Sequence, residues 1–236
     1  MGEARPPAGP AKPPVSRRLQ DVVSLQDVVY RRLSEDLLAG RVAPGEPLSL
    51  RGLAARLGVS PMPVRDAVRR LVAEEALIIN PLNRRLSVAE LSAARLDQLT
   101  LARGWVEPEL AARAAHRTSP GLVERLRRID AAVDAAILAG DPAGYMAANH
   151  AFHFAIYEAA EADLLVRMAR GLWMQTGPHM RSVFESLGEG AMSADHHMAL
   201  IAAIAEADSA GARTAMQADL LMGMSAIART LGLPLA

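Results

Sequence analysis

The stretch Ser49–Val72, SLRGLAARLGVSPMPVRDAVRRLV, decides how the first third of this chain folds. Ser49 stands where a helix N-cap belongs, ahead of Leu50, Leu53, Ala54 and Leu57 at helical spacing, and Gly58 supplies the stop. Ser60 is a second N-cap, and Pro61 takes the first helical position, where a missing N–H costs nothing. Val64, Ala67, Val68, Leu71 and Val72 then make one apolar stripe. Two short helices joined by about three residues around a glycine have helix-turn-helix spacing. Upstream, Leu19, Val22, Leu25, Val29, Leu33 and Leu37 recur at helical steps and predict a long first helix closed by Gly40. Downstream, Leu77-Ile78-Ile79 and Leu86-Ser87-Val88 flank residues 80–85, NPLNRR, which predicts a two-stranded wing with a basic tip.

The chain has 236 residues, 51% of them hydrophobic and 22% charged, enough apolar material for a core and too much for a disordered chain. Aromatic residues make up only 3% and cysteine is absent, so helices packed through aliphatic layers are expected and a disulfide scaffold is excluded. The 26 basic and 26 acidic residues cancel, but unevenly. Residues 1–90 carry 14 Lys or Arg against 10 Asp or Glu, and residues 91–236 carry 12 against 16, so a basic head precedes an acidic body. No apolar run approaches the ~20 residues of a membrane span, and no signal-peptide stretch opens the chain, so a cytoplasmic protein without a membrane partner is expected. Residues 1–18 read as a Pro-rich flexible tail and 19–90 as the winged helix-turn-helix domain.

From 91 to 236 the pattern is helical throughout, with helices expected at 92–116, 120–139, 143–160, 162–186, 194–207 and 209–231. Thr118-Ser119-Pro120-Gly121, Gly140-Asp141-Pro142 and Gly188-Glu189-Gly190 supply the breaks. The fold class is therefore mainly α, a winged helix-turn-helix followed by an antiparallel all-α bundle. No βαβ rhythm, phosphate-cradling glycine loop or nucleophile elbow is present. All six histidines lie in this second part. Asn149 and His153 are four apart on one helix, and His197 and Asp219 sit on two later ones, so all four could project to one interior point. By spacing alone, a metal site and ordinary buried, hydrogen-bonded histidines both remain open.

Three segments of the first domain resemble the winged helix of the GntR family of bacterial transcription regulators. They are Gly40-x-x-x-Pro44-Gly45, Leu53-Ala54-x-x-Leu57-Gly58-Val59-Ser60 and Pro63-Val64-Arg65-Asp66-Ala67-Val68. Pro61 stands where the family often has Arg, and Arg84 and Arg85 where it often has a wing-tip Gly. On the recognition helix Met62, Arg65 and Arg69 share the face opposite the apolar stripe and can reach base edges, with Arg65 placed for guanine. Arg51, Ser60, Arg84 and Arg85 are placed for phosphates or the minor groove, whereas Arg70 reads as a surface residue.

The second part resembles the FCD effector domain of the FadR subfamily, through Arg103-x-x-x-Glu107, Asn149-His150-Ala151-Phe152-His153, His197-x-x-Leu200-Ile201-x-Ala203-Ile204 with Asp208, and Ala215-Met216-x-x-Asp219-Leu220. The resemblance implies metal ligands at Asn149, His153, His197 and Asp219, with Asn149 standing where metal-binding members have Asp and Asp219 where they have His. Such a set could hold Zn²⁺, Ni²⁺, Mn²⁺ or Fe²⁺, with Asn149 orienting a water or effector. Arg103 is either a clamp for an effector carboxylate or one half of an i,i+4 pair with Glu107 on a solvated face. His179 and Arg181 could line the pocket, His150 and His196 point elsewhere, and Trp105, Trp173 and Phe152 are expected in the core. The expected function is a ligand-responsive, homodimeric regulator of double-stranded operator DNA whose effector is a small carboxylate. A metal-dependent enzyme with an appended helix-turn-helix is the alternative, and an architectural DNA-binding protein a third reading.

Overall fold

A computed structural model of the chain describes residues 24–81, 83–187 and 196–234. The N-terminal unit comprises α1 (Leu25–Leu38), α2 (Leu50–Leu57), α3 (Pro61–Ala73) and the strands β1 (Ile78–Ile79) and β2 (Leu86–Ser87). Leu19, Val22 and the Pro-rich residues 1–18 lie outside the described residues. The caps fall where the sequence places them. Ser24 accepts from the Asp27 amide at 3.1 Å and Ser49 from the Gly52 amide at 3.0 Å, each arrangement worth ~1 kcal/mol. Gly58 ends α2 at φ +67°, a left-handed conformation that costs a residue with Cβ roughly 1–2 kcal/mol. Val29, Leu33 and Leu37 of α1, Leu53 and Ala54 of α2, and Val64, Ala67, Val68 and Leu71 of α3 are buried together. The wing pairs antiparallel, Ile78 with Ser87 and Ile79 with Leu86, and buried Leu86 also bridges to Leu48, which ties the wing to the loop before α2.

The helical domain follows as α4 (Ala93–His116), α5 (Pro120–Leu138), α6 (Pro142–Ala159), α7 (Asp163–Leu187), α8 (His196–Ala205) and α9 (Ser209–Leu231). Its main packing partners are α4 with α9, α5 with α6, and α8 with α9, while α7 lies against α4, α6 and α9. Ser92, Ser119, Asp141 and Asp208 cap α4, α5, α6 and α9 through their side chains. The expected break at Gly188-Glu189-Gly190 lies outside the described residues. Among the described residues no helix is long and apolar enough to cross a membrane.

Two expectations about placement fail. Trp105 is not in the core: 75% of its surface is exposed on α4, one turn from the half-exposed Leu101. Helical periodicity marks a face as apolar without saying what covers it. Phe152 and Trp173 are buried as expected. His179 and Arg181 are not among the residues that line the cavity between the helices; His179 Nε2 donates to the Ala89 carbonyl at 3.2 Å and Arg181 pairs with Glu185 at 2.8 Å.

The same stretch of α7 joins the two domains. A Cβ at Gly177 would lie 3.2 Å from both the Leu37 and Leu38 carbonyl oxygens, so any larger residue there would need the end of α1 to give by a few tenths of an ångström. Gln175 Nε2 donates to the Glu74 carbonyl at 3.3 Å, and Arg95 bonds both Glu75 and, at 2.6 Å, Gln175 Oε1. One buried apolar cluster runs from Val29 and Leu37 through Phe152 and Tyr157 to Met216.

Candidate effector and DNA-binding sites

A cavity of about 230 Å³ opens between α4, α5, α6, α7, α8 and α9. Arg103, Asn149, His153, His197 and Asp219, predicted from five separated positions, all line it. His153 Nε2 stands 3.3 Å from Asp219 Oδ2, and His197 Nε2 stands 3.9 Å from Asp219 Oδ1. One ligand atom from each of the three residues falls within 4.8 Å of the others. Metal bonds of ~2.0–2.2 Å to tetrahedrally arranged donors put those donors roughly 3.4 Å apart, so the set fits a divalent ion.

The hydrogen bonds behind the histidines fix which nitrogen faces inward. His197 Nδ1 donates to Asp130 Oδ1 at 2.7 Å, leaving the Nε2 lone pair toward Asp219. The Tyr157 hydroxyl gives its proton to Glu107 Oε2 at 2.7 Å, so at 3.3 Å from His153 Nδ1 it accepts, and His153 also turns a lone pair inward. Burial above all, with nearby His197 and Arg103, holds His153 well below its ordinary pKa and hence neutral, as a metal ligand must be. Burial likewise raises the Asp219 pKa, against the pull of His197, His196 and Arg103.

Of the two roles expected of Arg103, the structure bears on the pair with Glu107. Its pair with Glu107 exists, Nε to Oε1 at 2.7 Å and Nη2 to Oε2 at 3.1 Å, but it is buried rather than solvated, and Glu107 has 0% exposure. Glu107 also accepts from Trp173 Nε1 at 3.0 Å, so four donors compensate its buried charge. Arg103 Nη1 remains, near Thr176 Oγ1 at 3.4 Å and Met224 Sδ at 3.3 Å. His150 does not line the cavity; its ring stacks on Phe154 at 4.3 Å, and burial, then Arg170, pushes its pKa down to about 4.

Sequence reading missed Asp130 and the Tyr157–Glu107 chain behind the histidines. Asp130 sits 67 positions from His197 with no motif around it. Only the helical step from His153 to Tyr157 gave a signal for the other contact.

On the opposite domain Met62, Arg65 and Arg69 project from the exposed face of α3, with Met62 63% exposed. Arg51, Arg65, Arg84 and Arg85 are exposed and their guanidinium groups make no ion pair among the described residues. By contrast Arg41 and Arg56 are held by Asp36, and Arg70 by Glu74 and the Tyr30 ring. Arg69 lies 3.6 Å from Asp66. Ser60 makes no capping hydrogen bond with its side chain, which keeps the exposed hydroxyl available. Arg84 occupies the wing turn at φ +58°, the position and conformation suited to a glycine.

Residues 98–221 match the FCD domain, and residues 25–84 match the gntR family of bacterial regulatory proteins. The chain belongs to the GntR family. It is 32% identical to an Escherichia coli K12 protein named for regulation of the L-lactate dehydrogenase operon, across 86% of this chain and 84% of that one. It is 29% identical to the HTH-type transcriptional regulator McbR of the same strain, across 81% of this chain and 87% of McbR. The structure of E. coli McbR/YncC superposes with a TM-score of 0.81, covering 89% of this chain and 100% of that one at 27% identity. A GntR regulator from Rhodococcus sp. RHA1 shares the fold at 20% identity, with a TM-score of 0.67 over 88% of this chain and 97% of that one. This GntR chain is a DNA-binding transcription regulator with an FCD domain, and these relatives are regulators, not enzymes. The alternative of a metal-dependent enzyme therefore falls.

Proposed function

We propose that residues 91–236 sense a small carboxylate through a divalent metal held by His153, His197 and Asp219, and that residues 19–90 read an operator in response. The observation that carries this reading is the convergence of three ligand atoms within 4.8 Å on a cavity wall, with both histidine Nε2 atoms turned inward. A bound Zn²⁺, Ni²⁺, Mn²⁺ or Fe²⁺ would supply a Lewis-acidic centre for the effector. Asp130 and the Tyr157–Glu107 chain orient the two rings. Asn149 orients a water or effector oxygen, and Arg103 Nη1 donates to the carboxylate.

The regulator works as a homodimer in the cytoplasm, because a two-fold protein matches a pseudo-palindromic operator. Trp105 and Leu101 mark the face of α4 for the second copy. Effector binding shifts the placement of the two heads with a coupling of ~1–3 kcal/mol.

Metal analysis tests the central claim. Wild-type protein, supplemented and then dialysed, should retain about one equivalent of metal per chain, and His153→Ala should lose most of it. Full loading of the variant would sink the metal site.

A further inference from the structure

We infer that the effector carries a cationic nitrogen as well as its carboxylate, and that Asp134 receives it. The inference rests on the effector site proposed above and names the chemical class of its occupant.

The charge on the cavity wall favours it. Arg103 is the one arginine that lines the cavity, and its charge is matched at two hydrogen bonds by fully buried Glu107. Against this neutral pair the wall presents three carboxylates, Asp130, Asp134 and Asp219. A divalent ion supplies two positive charges and leaves an excess of one negative. An effector that is only an anion raises that excess to two, whereas one with an ammonium group beside its carboxylate leaves it at one.

Position selects Asp134 among the three. Asp219 faces the two histidines, and Asp130 accepts from His197 Nδ1 at 2.7 Å. Asp134 is exposed at the cavity wall and forms no hydrogen bond or ion pair among the described residues. It stands one helical turn beyond Asp130 on α5, a rise of ~6 Å, followed along the same wall by Ile137. The cavity therefore runs along α5 from a centre that takes a carboxylate to one that takes a cation. The lining has a further polar group: Asn149 is 9% exposed, lines the cavity, and has no side-chain hydrogen bond among the described residues. That amide is available to bond a polar ligand, and an unsubstituted alkyl acid would leave it unsatisfied. The volume of about 230 Å³ suits a metabolite of a few carbon atoms, below the ~300–1,000 Å³ of typical drug-sized sites. An amino-substituted carboxylic acid whose two charged groups are several bonds apart meets these conditions.

Calorimetric titration of metal-supplemented full-length protein with 5-aminopentanoate, pentanoate and pentanedioate tests the assignment. Wild type should bind the amino acid at least about five-fold more tightly than either comparison acid. Asp134→Asn should erase that preference, and Asp134→Lys should turn it toward pentanedioate. Equal affinity of wild type for the amino acid and pentanoate, or a preference retained in Asp134→Asn, would overturn the inference. If the acids bind without preference yet all lose affinity in His153→Ala, the metal-carboxylate site stands and only the role of Asp134 falls. If none of the three binds wild type, the effector site falls and this inference falls with it.

Discussion

Arg65 and Arg84 are both exposed and unpaired, yet they stand on elements of different reach. Arg65 is on the first turns of α3, from which a bidentate fork would meet a guanine edge under the proposed function, whereas Arg84 is on the wing turn, which would lie beside the phosphate backbone. Arg65→Ala should therefore cost ~1–3 kcal/mol on operator DNA and relax sequence preference, while Arg84→Ala should weaken all sequences evenly and reduce the salt slope by about one. Binding isotherms on operator and random duplexes over a salt series distinguish the two roles; equal losses on both duplexes for Arg65→Ala would contradict them. A second residue-scale effect concerns acid. His150 has its pKa lowered to about 4 by burial, so the unfolded chain takes up a proton first as pH falls below about 6.5. The stability contributed by neutral His150 is complete above that window and is lost as pH drops toward 4, and Asp219, raised instead of lowered, contributes the opposite slope. Denaturation at stepped pH should show a shallower acid loss for His150→Phe than for wild type. Part of this scale was legible in advance: the apolar stripe of α3 fixes the direction of Arg65, whereas spacing left a shared point for His153, His197 and Asp219 open and the resemblance to the FCD domain favoured it. Asp130, Asp134 and Trp105 were not, since helical phase gives a residue's face but not the neighbour that packs there.

At the scale of elements, α7 is the wall shared by sensor and reader. Thr176, Gly177 and Met180 line the cavity, while Gln175, Gly177 and His179 meet α1, the end of α3 and the segment before α4. Because α7 comes close to the carbonyl ends of α1 at Gly177, a ligand that moves α7 should be felt at the end of α1. Gly177→Ala should force α7 off α1, lower the melting temperature by several degrees for a loss of ~1–3 kcal/mol, and change DNA affinity without touching a DNA contact. Thermal melts paired with operator titrations check this. Wild-type values in both would show that α7 is a passive wall. Helix limits were readable here to within about two residues, since caps and breakers are local chemistry. The docking of α7 on α1 was not readable, because a mid-helix glycine looks the same in sequence whether it faces water or another backbone.

For the whole molecule, Trp105 is the clearest sign of a missing neighbour, since a side chain of that size buries 150–250 Å² when it packs. Trp105→Glu should dissociate the dimer in sedimentation and weaken operator binding far more than half-site binding, while the folded monomer remains because the residue supports no core contact. Dimers persisting at micromolar concentration in the variant would place the two-fold elsewhere.

The apolar cluster that runs unbroken from α1 to α9 has a consequence for how such a protein evolves. A boundary near residue 90 looks like a joint at which one reading head could be exchanged for another. Yet a transplanted head would need its own first helix to end in carbonyls that tolerate Gly177, and its own Leu37 and Leu38 to complete a core begun in the other domain. Recombination at that joint would yield chimaeras with an open seam of apolar surface. For this chain, point substitution on the exposed face of α3 and on the wing should therefore be an easier route to a new operator than exchange of the whole head.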